Sequence, residues 1–299
     1  MSELSSLRKN YHQEILQKIV RLNTHPDKGS RYPSFADSSS KNSIAIAWKL
    51  IEKINTESIT FVEDQSITAQ TAGGRFEEIT RNFLQNALDL LTHLRVGEWL
   101  YYTSIPISRF DQYEHLAALE KLSRENPQIA ATLGGDYIIK PDIVVAKKPV
   151  YPSNINRPQR EVISDDEEIA AFSPFIFRSN APEKLILHAS ISCKWTLRSD
   201  RGQNSRTEAL NLIRNRKGSV PKIVAVTGEP LPMRIASLAL GTGDLDCVYH
   251  FALPELQKAI EELIENTGSS LEDQKDMLNT LIEGRRLRDI SDLPFDLLL

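Results

Sequence analysis

Two cysteines, Cys193 and Cys247, are all that the 299 residues contain, too few for a disulfide framework and in keeping with a reducing cytoplasm. No apolar run approaches the roughly 20 residues that span a bilayer, and the polar N-terminus lacks a signal-peptide core, so no membrane partner is expected. Long biased tracts and internal repeats are missing too. The composition, 40% hydrophobic and 25% charged, is that of an ordinary folded chain. An excess of positive charge is also missing: the net charge of −4 argues against a general nucleic-acid coat protein. The six histidines have no zinc-like spacing with one another or with the cysteines. Gly241-Thr242-Gly243 has no third glycine of a dinucleotide fingerprint and reads as a turn.

What positive charge there is lies close together. Between Lys194 and Lys222 stand eight basic residues against two acidic ones, Asp200 and Glu208. Such a run is commonly a solvated helix face, and it also suits a selective DNA binder. Helical spacing is expected over 5–22 (Leu7, Tyr11, Ile15, Ile19, Leu22), from Asn42 through Ile54, and over Phe76 to Leu94 with Leu90 and Leu94 on its apolar side. A Pro/Gly/Ser-rich loop spans His25 to Ser40, and Gly73-Gly74 suits a loop whose backbone comes close to something. Strands are expected at Ile138 to Val145, Leu185 to Trp195, Ile223 to Val226 and Asp246 to Phe251. Helices at 204–216, 231–240, 254–266 and 270–285 lie between and after them. Helices alternating with strands imply an α/β fold with a central mixed β-sheet flanked by helices. With no clear linker, residues 1–299 read as a single domain carrying an exposed, acidic and proline-rich insertion at 149–168. His188 reads as a satisfied core residue, and Trp99-Leu100-Tyr101-Tyr102 as core or interface.

The chemistry-bearing residues are Pro141-Asp142, read within a strand, and Ser192-Cys193-Lys194, at the end of a later one. Hydrolysing a phosphodiester needs metal ions to hold the phosphate, and hard cations such as magnesium need carboxylate oxygens. A lysine beside the attacking water can orient it, assist its deprotonation or stabilise developing charge. This is the logic of the PD-(D/E)XK nucleases. Their usual motif carries an acid two positions before the lysine, on the same strand face. Here that position is Ser192, which cannot replace a carboxylate. Glu208 can supply it, because the thirteen residues between Lys194 and Glu208 are enough to leave the strand, turn, and enter the next helix facing the sheet. Glu77, expected at the start of its helix, offers a further carboxylate. Each piece alone is weak: Pro-Asp commonly marks a turn, and a lone helix glutamate commonly faces solvent. Their combination, order and spacing carry the inference.

The stretch from Ser192 through Arg201 (Ser-Cys-Lys-Trp-Thr-Leu-Arg-Ser-Asp-Arg), followed by Glu208, resembles the core of the NgoMIV family of type II restriction endonucleases. That family uses the permuted order P-D…S-C-K…E. The resemblance extends to Asp37-Ser38-Ser39, Gln70, Phe76-Glu77, Asn215-Arg216-Lys217-Gly218, Arg234-Ile235-Ala236-Ser237 and Asp246 to Phe251, and so covers most of the chain. The 51 residues between Asp142 and Lys194 are slightly expanded against the family pattern, by the 149–168 segment.

The resemblance implies a restriction-endonuclease-like core with Asp142, Lys194, Glu208 and Glu77 as the catalytic set. It implies Mg2+ held by Asp142, Glu208 and the backbone carbonyl of Cys193. It also implies that Arg198, Asp200 and Arg201 read a central CCGG in double-stranded DNA. The residue chemistry agrees: arginine forks onto guanine O6 and N7, and aspartate accepts from cytosine N4. Alone, Arg198-Ser199-Asp200-Arg201 is more commonly a surface salt-bridge turn. Asp37, Ser39 and Gln70 become candidates for the outer base pairs, and the implied site is GCCGGC, cut after the first G to leave 5′-phosphate and 3′-hydroxyl ends. A palindrome needs a two-fold dimer, and the resemblance implies a homotetramer, a dimer of dimers. Two other readings stay open: a structure-selective repair or recombination nuclease, which cuts according to DNA shape, and a non-catalytic DNA-binding protein of the same fold.

Overall fold

The computed structural model describes residues 1–25, 29–59, 67–128, 139–180, 182–197, 199–241, 243–267 and 271–299; for 199–203 and 267 it describes the backbone alone. It is a mixed α/β protein. Six strands stand in the hydrogen-bonding order β3-β4-β5-β6-β7-β8: β3 (Trp99–Thr103), β4 (Ile143–Lys147), β5 (Ile186–Lys194), β6 (Lys222–Thr227), β7 (Cys247–His250) and β8 (Leu287–Asp289). The chain forms two compact units, one of residues 1–89, 192–207 and 223–299, the other of residues 90–191 and 208–222. Strand β5 is shared between them: its last three residues belong to the first unit, the rest to the second.

In the first unit, β6, β7 and β8 run parallel, with Val224 opposite Cys247 and Val248 opposite Leu287. Parallel strands of this kind are covered on both faces, which explains why β6 and β7 are nearly continuous apolar runs, buried almost throughout. Helix α1 (Glu3–Lys18) is capped by Ser2, whose hydroxyl accepts from the Ser5 amide, and buries Tyr11, Ile15 and Leu16 at helical spacing. Helix α2 (Lys41–Ile54) is capped in the same way by Ser40 and packs on α8 (Leu253–Thr267). Helix α3 (Ala69–Asp89) packs on α1. Helix α7 (Pro232–Ala239) packs on α9 (Glu272–Glu283). Strand β2 (Arg31–Pro33) lies inside the Pro/Gly/Ser-rich loop and pairs antiparallel with β1 (Leu22–Thr24), which stands immediately before that loop.

The second unit holds the antiparallel part of the sheet. Strand β4 lies between β3 and β5, with Tyr101 opposite Val145 and Ile143 opposite Ile191. Helix α4 (Leu116–Glu125) and the single turn α5 (Pro152–Ile155) belong to this unit. Residues 157–162 and 165–172 are exposed except for part of the intervening loop, where Ile163 is buried.

Several expectations need correction. Pro141-Asp142 lies immediately before β4 rather than within a strand: proline has no N–H for a ladder, and the Ser104 amide instead donates to the Pro141 and Asp142 carbonyls. Gly73-Gly74 is inside α3, which starts earlier, where the Thr68 hydroxyl accepts from the Thr71 amide. Nothing lies within 4 Å of a Cβ built at either glycine, so no close approach requires them. Each costs the helix about 1 kcal/mol relative to alanine, offset by burial of Ala72 and Phe76 on either side. At its other end α3 stops at Asp89, so Leu90 and Leu94 fall outside it and are exposed. His188 is half-buried with its ring tilted against Trp99, centroids 4.5 Å apart, rather than in the core.

Candidate functional site

Strand β5 delivers Ser192, Cys193 and Lys194 at its end, the first two buried and the third half-buried. The Ser192 hydroxyl lies 3.1 Å from that of Ser205, a buried residue of helix α6 (Ser199–Asn215). Where the usual nuclease motif has a carboxylate, this chain therefore has a hydroxyl pair fastening the strand end to the following helix. Glu208 stands three residues beyond Ser205, on the same helix face, and is half-buried. A cavity of about 570 Å³ in the first unit is lined by Gln70, Gly73, Glu77, Cys193, Lys194 and Asn204, among others. Four residues singled out from sequence, Gln70, Glu77, Cys193 and Lys194, thus share one cavity. Glu77 reaches it from the third turn of α3, not from the helix start.

A second cavity, of about 700 Å³, shares Asn23, Ser34 and Thr196 with the first and is also lined by Asp37, Leu197 and Arg234. The Asp37 carboxylate accepts from the Ser39 hydroxyl at 2.7 Å and its amide at 2.9 Å, and pairs with the Arg234 guanidinium. These contacts, the Ser39 hydroxyl foremost, hold the carboxyl below its ordinary range. Ser39 is exposed and supports Asp37.

Asp142 and Glu208 belong to the second unit. Asp142 is half-buried and precedes Ile143, whose partner Ile191 comes three residues before Lys194 in the chain. Asp200 and Arg201 occupy the first turn of α6; Arg198 lies outside the described residues. Among the described residues, no three His, Cys, Asp or Glu side chains gather as a metal cage. None of the described helices is long and apolar enough to cross a membrane.

One residue escaped sequence reasoning. Glu229, 1% exposed, accepts from the amides of Leu197 at 2.9 Å and Leu231 at 3.2 Å. Burial pushes its carboxyl up to about 7, against those hydrogen bonds. The only sequence signal was an acid between Gly228 and Pro230 at the end of an apolar strand.

The family model for the NgoMIV restriction enzyme matches residues 11–299. The type II restriction enzyme NgoMIV of Neisseria gonorrhoeae is 45% identical over 269 residues, covering 88% of this chain and 89% of that enzyme. Among solved structures, the complex of restriction endonuclease PspGI with its substrate DNA aligns over 87% of this chain and 93% of that one, at 14% identity and a TM-score of 0.25, too low to bear on the fold. The protein is a type II restriction endonuclease, a site-specific deoxyribonuclease. The chain belongs to the NgoMIV restriction enzyme family, as its strand-end and helix motifs led us to expect.

Proposed function

We propose that this endonuclease cuts double-stranded DNA at GCCGGC, after the first G, using Mg2+ and leaving 5′-phosphate and 3′-hydroxyl ends. The observation that carries this reading is the adjacency of two cavities. One is lined by Lys194, Glu77 and Gln70, the other by Asp37 and Arg234, and the residues between Lys194 and Leu197 run from one to the other. A correct base contact on one side can then register the phosphate on the other.

The donor set fits a hard divalent cation. Asp142 and Glu208 would hold it with carboxylate oxygens and Cys193 with its backbone carbonyl; all are oxygen donors, and both carboxylates are only half-buried, leaving room for phosphate and water. When bound, magnesium would neutralise charge on the attacking and leaving oxygens. Lys194 orients the attacking water and stabilises the charge that develops as the P–O3′ bond breaks. Glu77 adds a carboxylate to the Lys194 cavity, supporting the metal site or its surroundings. Arg198 and Arg201 take the guanines of the central CCGG and Asp200 the cytosine amino groups; Asp37, Ser39 and Gln70 take the outer pairs. The protein acts in a prokaryotic cytoplasm as a homotetramer, each two-fold dimer engaging one palindrome.

Incubating plasmid DNA with the protein and Mg2+, then sequencing the fragment ends, tests this directly. Every fragment should begin at one hexamer centred on CCGG. Ends clustered at junctions or bends regardless of sequence would point to a structure-selective nuclease, and specific binding without cutting to a non-catalytic DNA binder. Arg198→Ala should cost about 1–3 kcal/mol of discrimination between CCGG and single-base variants. Unchanged relative cleavage rates on those duplexes would remove Arg198 from the readers.

A further inference from the structure

The four residues from Lys194 to Leu197 are held at both ends by one tripeptide. The Lys194 carbonyl accepts from the Thr227 hydroxyl at 2.8 Å and the Gly228 amide at 3.3 Å. The Leu197 amide donates to the Glu229 carboxylate, and the same Thr227 hydroxyl accepts from the Glu229 amide at 3.2 Å. Between these anchors, the Trp195 ring is wedged among Phe35, Phe76 and Phe251, with centroid distances of 5.1–5.3 Å. It lies so close to Gly228 that a Cβ there would stand 2.3 Å from a ring carbon. On its other side, the Glu229 carbonyl accepts from His250 Nε2 at 3.2 Å. Glu229 also lies 4.0 Å from Arg234, the partner of Asp37.

Burying an acid this deeply is costly, and the hydrogen bonds from two amides offset that cost. Here they fix the backbone immediately before Arg198. We infer that Glu229 is a positioning residue that couples base reading to strand cleavage, by clamping the Lys194–Leu197 link through the Leu197 amide and steadying the Asp37–Arg234 pair. At 1% exposure it would act through the backbone it holds rather than on DNA or the reacting atoms. This inference rests on the assignment of Lys194 to chemistry and Arg198 to guanine reading.

Glu229→Gln keeps the shape and one acceptor but cannot accept from both the Leu197 and Leu231 amides. In protein that retains the wild-type far-ultraviolet dichroism and elution volume, kcat on a cognate duplex should fall by about a hundredfold with KM little changed. The ratio of cognate to single-mismatch cleavage rates should narrow by about tenfold. A kcat within about twofold of wild type, or an equal loss on cognate and mismatched duplexes, would overturn the coupling role. Thr227→Val is the second variant, decisive should Glu229→Gln not fold. It removes the hydroxyl that joins Lys194 to Glu229, and it must lower kcat without raising KM; wild-type kcat and discrimination would count against the clamp. Arg198→Ala, measured alongside, separates the two levels. If it leaves CCGG discrimination intact, the assignment of the reader is wrong; if it abolishes discrimination while both clamp variants behave as wild type, only the coupling is wrong.

Discussion

Lys194→Ala should lower the cleavage rate by at least about a thousandfold while site-specific DNA binding survives. The expectation depends on what the substitution leaves in place. The lysine is held through its backbone: its carbonyl, not its ammonium, receives the Thr227 hydroxyl and the Gly228 amide. Alanine keeps those bonds, the strand register and the path to Leu197. What the substitution removes is the ammonium on the Gln70–Glu77 cavity, so the loss of chemistry should far exceed any effect on the fold. Single-turnover cleavage with Mg2+, set beside mobility shifts without a divalent cation, distinguishes the two. Residual cutting near the wild-type rate, or lost binding with cutting retained, would take Lys194 out of the chemistry.

Most of what positions that lysine could be read from local pattern. Leu185 to Trp195, Ile223 to Val226 and Asp246 to Phe251 are rich in apolar and β-forming residues, and β5, β6 and β7 match them to within a residue because these strands are largely buried. The Ser40-capped helix α2 and the α7 helix beginning at Pro232 announce themselves through end chemistry. Apart from Pro141, whose missing N–H is a local cause, the misses trace to partners and packing that the local pattern does not show. Strand β3, Trp99–Thr103, lacks strict alternation and is specified by its ladder to β4, and β8 is three residues whose strand character comes from β7. Gly73 and Gly74 have poor helix propensity, overridden by the packing of Phe76. The site divides along the same line. Ser192-Cys193-Lys194 is a local motif, and its place at the end of a strand could be read directly. The bond from Leu197 to Glu229 spans 32 residues and that from Asp37 to Arg234 spans 197, and nothing in either neighbourhood marks the distant partner.

The largest stability effect is expected at Arg8, remote from the cavities. Its guanidinium donates to both oxygens of Glu255 at 2.6 and 2.7 Å and both oxygens of Asp289 at 2.7 and 2.8 Å. The three side chains retain 17%, 20% and 8% of their exposure, so solvent screens the pairs little. Burial alone would push both carboxyls up; the Arg8 hydrogen bonds and charge outweigh it and hold them below the ordinary carboxylate range. Carboxyls depressed in the folded state contribute stability that is present at neutral pH and lost as the pH falls through their folded values. His12 is buried nearby and held neutral, first by desolvation and then by the Arg8 charge. Arg8→Met leaves two buried carboxylates without a counter-ion and should cost about 3–5 kcal/mol at neutral pH. In that variant the carboxyls gain stability on protonation, so the sign of their pH dependence reverses, and His12 becomes easier to charge. The gap between wild type and variant should therefore be widest near neutrality and close as the pH falls into the carboxylate range. Glu229, raised to about 7 by burial, is common to both proteins and cancels in the difference, whereas His250, lowered to about 4 first by burial, feels the Asp289 and Glu255 charges and adds to the difference at the acid end. Urea unfolding at about pH 7 and about pH 4.5 measures that difference. A gap that stays constant between the two conditions would mean that Arg8 contributes packing rather than charge.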